Sequence, residues 1–200
     1  MTMQIQEKPK VPSTEERIVS LPGVSWPQFK AIETGLEDVR AIRLTYLQGV
    51  LEIMSPISDD HETVKSTLGA LLEAYMRRKG IRHYRRGGFT LEAEGYASGT
   101  PDESYSIGDR RKHPDLVIEV IITSGSIKRT DLYLPLNIPE VWFWKSAKLR
   151  IFQLKDTQCR EIKLSQLFPE LDINLIVKYV EYPDQYDAIQ NFLSEVKATS

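Results

Sequence analysis

The amino-acid sequence predicts an α/β fold, a mixed central sheet flanked by helices. Residues 115–122, DLVIEVII, form a strand apolar on both faces apart from its carboxylates, as expected of a central strand covered on two sides. A helical stretch separates this strand from VWFW at 141–144, a spacing that a parallel crossover requires. The chain has 200 residues, 41% hydrophobic and 27% charged, which is enough to bury a full core. The reading divides it into a polar, flexible tail (1–17), a core (18–162) and a helical extension of the same domain (163–200).

The elements follow in order. SWPQFKAIETG (25–35) is a short helix with Ser25 as cap and Pro27 in its first turn. AIRLTYLQGVLEIM is a hairpin turning at Gln48-Gly49 and stopped by Pro56. In residues 58–80, Val64, Leu68, Leu71, Leu72, Tyr75 and Met76 fall on one helical stripe, with caps at Ser58–Asp60 and Gly80. IRHYRRGGFTLEAE reads as one strand with a Gly-Gly irregularity, GYASGT as a loop, and PDESYSIG as a short strand. TSGSIKRTDLYLPL is a helix of two or three turns broken near Pro135, and VWFW with KLRIFQL makes a second hairpin. The pattern is helical again from about 163, and Pro183-Asp184 reads as a helix start.

The formal charge of −2 excludes a strongly basic nucleic-acid binder but leaves room for one local basic patch. A single cysteine, Cys159, excludes an intrachain disulfide and a cysteine-rich zinc site, and fits a reducing, cytoplasmic setting. His61, His83 and His113 are too scattered for a histidine zinc centre. No apolar run approaches the ~18 residues of a membrane helix, and the N-terminus lacks an apolar signal core.

Glu119, in the middle of LVIEVII, needs a partner or a task, because an unpaired buried carboxylate is unfavourable by several kcal/mol. One reading is structural: an ion pair with an arginine of RHYRR, or a raised pKa that leaves the group neutral. The other is a divalent metal held with a second carboxylate, since Mg²⁺ takes one or two protein carboxylates and completes its shell with water and phosphate. Asp115 lies four residues away on the same strand, roughly 13 Å, too far to share an ion. Asp102 starts the antiparallel neighbour and should approach the Glu119–Ile121 end.

LPGVSWPQF, AIRLTYLQGVLEIMSPISDDHE, PDESYSI, PDLVIEVIITSGSI and IPEVWFW occur in the order found in the Uma2 family. The chain resembles that family, over roughly 18–190, and through it the PD-(D/E)xK nuclease superfamily. The resemblance implies a restriction-endonuclease-like αβββαβ core, with an N-terminal hairpin and C-terminal helices added. It also implies a divalent metal (Mg²⁺ or Mn²⁺) and phosphodiester hydrolysis in DNA. Asp102 and Glu119 would be the metal ligands and Glu62 an accessory acid; His61 is the weakest candidate, since a helix-cap turn explains it. Ile121 stands where an ExK pattern would have lysine. The family supplies that lysine from the following helix, where Arg129 stands here, with Lys128 before it. Three readings stay open: Lys128 substitutes, Arg129 only stabilises negative charge, because arginine stays protonated, or activity has been lost.

Arg86 and the turn residues Arg110, Arg111 and Lys112 are the candidates for DNA backbone contact; Arg86 could equally neutralise the acidic cluster. A homodimer is expected, since a duplex cutter gains from two sites. The alternative function is a catalytically inactive nuclease-fold protein that binds nucleic acid or a protein partner.

Overall fold

The computed structural model describes residues 16–39, 42–55, 58–156 and 158–197. The first elements are strand β1 (Arg17–Pro22), helix α1 (Trp26–Gly35), strands β2 (Arg43–Leu47) and β3 (Val50–Ser55), and helix α2 (Asp59–Arg78). Strands β4 (His83–Arg85), β5 (Leu91–Ala93), β6 (Ala97–Gly99), β7 (Glu103–Ile107) and β8 (Leu116–Val120) come next. Helix α3 (Arg129–Tyr133) runs into a 3-10 turn at Leu134–Leu136. The chain continues with β9 (Glu140–Lys145), β10 (Lys148–Lys155), β11 (Gln158–Ile162), α4 (Ile173–Val180) and α5 (Gln185–Glu195).

Two sheets result, a six-stranded one in the order β11-β10-β9-β8-β7-β4 and a five-stranded one in the order β1-β3-β2-β6-β5. Among the described residues only β8 and β9 pair in parallel, with α3 in the crossover; β7 and β8 pair antiparallel. The two faces of β8 enter different cores. Leu116, Ile118 and Val120 pack with Leu68, Leu72, Met76, Trp142, Ile176 and Phe192 beneath α2, α4 and α5. Val117 packs with Leu132, Tyr133, Val141 and Phe143, and with Leu91 and Ala97 of the smaller sheet. Each such apolar side chain, fully buried, contributes roughly 1.5–3 kcal/mol. On the smaller sheet Phe29, Tyr46 and Leu51 form a third cluster, so α1 covers that sheet.

Local chemistry explains the elements that follow expectation. The Gln28 side chain accepts the Ser25 N–H at 2.8 Å, and Ser58 Oγ accepts the His61 N–H at 3.2 Å, each satisfying a helix-start donor. Gln48 and Gly49 both adopt positive φ, as the two-residue hairpin turn demands. Asp184 accepts the Asp187 N–H at 2.9 Å, so the third Pro-Asp pair is a helix cap. Pro56 lies outside the described residues.

Several expectations are corrected. β1 begins at Arg17, the last residue of the stretch read as tail, and takes its strand form by pairing with β3. GYASGT contains β6, and IRHYRRGGFTLEAE divides between the two sheets as β4 and β5, because Gly87 takes positive φ there. β11 was not foreseen, since its short polar run gains strand form from β10. The helix after β8 keeps its expected break near Pro135, as five α-helical residues followed by a 3-10 turn, whereas the C-terminal helices begin at Ile173 rather than near 163. Residues 165–167 are instead anchored on Glu140, which accepts the Ser165 hydroxyl and the Gln166 and Leu167 N–H groups. No helix of the described residues is long and apolar enough to cross a membrane.

Candidate active site

The β7–β8 pairing sets Glu103 opposite Ile118, so Asp102 lies beside the end of β8. Its N–H donates to the Ile118 carbonyl (3.2 Å) and its Oδ2 accepts the Val120 N–H (2.6 Å). Glu119 is therefore its immediate neighbour, and each carboxylate raises the cost of charge on the other.

The two carboxylates are otherwise treated differently. Asp102 Oδ1 accepts from the Arg43 guanidinium and lies 2.8 Å from His61 Nε2. The other ring nitrogen of His61 is 2.7 Å from Glu16 Oε1. An imidazole that donates to two carboxylates is the protonated form. Burial works against the charges of both Asp102 and His61. Their mutual hydrogen bond, with Arg43 acting on Asp102, overcomes it and leaves Asp102 below the usual carboxylate range and His61 above its ordinary value.

Glu119, by contrast, is pushed upward by burial, with Arg129 only partly opposing the shift. Among the described residues only Oε1 is hydrogen-bonded, to the Tyr133 hydroxyl. Other buried strand glutamates are far better supplied. Glu140 accepts from Trp142 Nε1 as well as from the 165–167 loop. Glu52 accepts from Ser20, the Ser126 N–H and hydroxyl, the Ile127 N–H and Arg129. Glu119 instead opens on a cavity of about 910 Å³, shared with Arg43, His61, Lys128, Arg129 and Lys145.

Arg129 enters this cavity from the first turn of α3. It donates to Thr45 Oγ1 at 2.6 Å and pairs with Glu52 at 3.5 Å. Lys128 lies at the cavity edge with its side chain 70% exposed, paired with Asp131. Arg129 thus takes the inner position and Lys128 the outer one.

The remaining candidates are not brought here. Glu62 sits on the outer side of α2, paired with Lys65 at 2.5 Å, because one residue along a helix turns the side chain by about 100°. His61, the weakest candidate, is the residue that points inward. Arg86 donates to the carbonyls of Arg111 and Lys112 and stacks on Phe89. Among the described residues it pairs with no carboxylate. Arg85, not Glu119's partner, pairs with Glu103. Arg110, Arg111 and Lys112 occupy the β7–β8 turn, at the opposite end of the hairpin from Glu119, with the length of β8 between. The expectation that this turn borders the site is corrected: hairpin geometry places its turn and its open end a strand apart.

Sequence reasoning missed Arg43, Glu16, Tyr133 and Glu52. Glu52 carried a usable signal, for it sits in VLEIM as Glu119 sits in LVIEVII. A Cβ at Gly125 would run into its carboxylate, so the glycine admits the loop that Glu52 binds. Arg43 carried none, being one arginine among many.

A hard divalent cation suits the donors present. Asp102 Oδ2 accepts one hydrogen bond and Glu119 has an oxygen without one among the described residues. Such ions need only one or two carboxylates and keep several waters. No group of three or more His, Cys, Asp or Glu among the described residues is arranged to hold an ion, so water and substrate oxygens would complete the shell.

The α/β core, with a Pro-Asp aspartate beside a strand glutamate, has the features of the restriction-endonuclease-like class. The Uma2 family model, described as "Putative restriction endonuclease", matches residues 26–180. The chain belongs to the Uma2 family. A search of curated proteins finds no match.

Proposed function

We propose that the protein is a metal-dependent endonuclease that hydrolyses phosphodiester bonds in DNA, using Mg²⁺ or Mn²⁺. The observation that carries this reading is the treatment of Glu119: Glu52 and Glu140 are saturated with donors, while Glu119 is left short of them where it meets a cation-lined cavity. Asp102 and Glu119 would hold the ion, which when bound polarises the scissile phosphate and acidifies a water. Arg43 and His61 keep Asp102 anionic. Arg129, oriented by Thr45 and Glu52, stabilises negative charge on the phosphoryl oxygens; it remains protonated and takes no proton from the water. Two copies acting together, as a homodimer in the cytoplasm, would cut both strands.

A second reading, a nuclease-fold protein without activity, is favoured by one feature: Arg43 already supplies Asp102 with a cation, and Arg129 stands where lysine is expected. Plasmid cleavage in Mn²⁺ and Mn²⁺ calorimetry separate the two. Wild type should bind Mn²⁺ and nick DNA, Glu119→Gln should abolish cleavage with the fold kept, and both Glu119→Gln and Asp102→Asn should lose binding. Equal cleavage by Glu119→Gln would remove the proposal. No cleavage by wild type, with activity restored in Arg129→Lys, would establish the second reading.

A further inference from the structure

Six arginines and lysines but only three glutamates line the cavity that holds Glu119, although the whole chain carries −2. Most of these cations are answered: Arg43 by Asp102, Lys128 by Asp131, Arg129 by Glu52 and Arg150 by Glu161. Lys145 and Lys148 are not, for neither meets a carboxylate among the described residues; Lys145 Nζ donates to the neutral Ser124 hydroxyl at 2.6 Å. These lysines are also direct cross-strand partners at the β9–β10 tip, an arrangement in which like charges repel. The turn between them is Ser146-Ala147, both at positive φ (49° and 57°), a backbone that glycine or asparagine would adopt more easily. Two exposed lysines are thus held side by side, against their repulsion, on a tight turn at the rim of the cavity. An anion placed between them relieves the repulsion, and one that continues past Lys128 toward Arg129 must be a polyanion.

We infer that the β9–β10 tip, through Lys145 and Lys148, grips the sugar-phosphate backbone of a nucleic acid strand and leads it across the cavity mouth to Glu119. This deepens the proposed function, on whose substrate class it rests. It replaces the 110–112 turn, which lies at the wrong end of β8, as the backbone contact. Both lysines are surface groups, so their loss leaves the cores untouched.

The test is anisotropy of labelled single-stranded and duplex 20-mers in EDTA, where nothing is cut, over a salt series. Lys145→Gln/Lys148→Gln should weaken binding by about tenfold or more and flatten the slope of log K against log salt by roughly 1.4–1.8, for two lost phosphate contacts. Arg110→Gln/Arg111→Gln/Lys112→Gln should bind as wild type does. Unchanged affinity and slope in the lysine variant, or loss in the turn variant, overturns the inference. The endonuclease reading is scored separately by plasmid cleavage with Mn²⁺. A wild type that binds through the lysines but never cuts sinks that reading and keeps this one; a wild type that cuts, with a lysine variant binding normally, does the reverse. Failure of wild type to bind either oligonucleotide overturns this inference, and the endonuclease reading falls only if the plasmid also stays intact.

Discussion

The β7–β8 hairpin carries a Pro-Asp pair at each end, and the two begin by doing the same thing. Asp102 precedes β7 and accepts the Val120 N–H at the end of β8; Asp115 precedes β8 and accepts the Ile107 N–H at the end of β7. Each also sends its own N–H to the facing strand, to Ile118 and Tyr105 respectively. As a local device, then, Pro-Asp is a strand clamp. What differs is the source of the remaining partners. Asp115 is neutralised by Arg111, four residues earlier and largely in solvent. Asp102 is neutralised by Arg43 and His61, from β2 and α2, the first mostly buried and the second fully so. One end closes on itself and is finished; the other gathers distant charges around Glu119 and stays open to a cavity. The proposed function rests on the second arrangement, not on the dipeptide.

Replacing the two aspartates breaks the comparison most strongly. Asp102→Ala should destabilise the fold by about 3–5 kcal/mol, because Arg43 and His61 remain buried without their counter-charge. Asp115→Ala should lose about 1–2 kcal/mol, one charge-assisted hydrogen bond, since Arg111 returns to water. Urea unfolding measures both, and equal losses would mean that the long-range partners add nothing. Only the Asp102 variant should also lose Mn²⁺ binding.

Glu119 gives the next largest effect, with opposite sign. Its pKa is raised in the fold, so the native state holds a proton that the unfolded chain has released. Stability therefore falls as pH rises from the ordinary carboxylate value, about 4.3, toward the raised one. Glu119→Gln keeps an acceptor for Tyr133 and carries no charge. It should melt at the wild-type temperature near about pH 4 and a few degrees higher at neutral pH. A lower melting temperature at neutral pH would show that the ionised carboxylate is well solvated by its surroundings. Asp102 behaves conversely: its pairing stabilises above the ordinary carboxylate value and is lost as pH falls through its lowered one.

The smallest change sharpens the contrast from the closed end. Arg111→Ala removes a surface ion pair, and such pairs contribute about 0–1 kcal/mol. Stability by urea unfolding and Mn²⁺ affinity by calorimetry should both stay near wild type. A loss of metal affinity there would couple two ends of the hairpin that the structure keeps apart.

The helices α1, α2 and α5, the Gln48-Gly49 hairpin, the double-faced strand β8 and its parallel partner were legible in the sequence, because each is specified by periodicity, caps or turn residues within a few positions. Short strands were not. β4, β5, β6 and β11 carry little alternation of their own and take strand form from a neighbour, while β1 follows directly on a polar stretch and takes its register from β3. At the site, the suspicion attached to Glu119 and the approach of Asp102 came from sequence, since a charge in an apolar strand and an antiparallel turn are both local facts. The same argument applied to Glu52 would have found the residue that seats Arg129. Which member of His61-Glu62 faces inward, which cation meets Asp102, and which basic cluster lies near the cavity were decided by tertiary structure alone. Those outcomes depend on the rotation of α2, on the meeting of the two sheets, and on which end of a hairpin faces the cleft. Charge acts through space, and residues 43, 61, 102, 119 and 129 become neighbours only after the chain has folded.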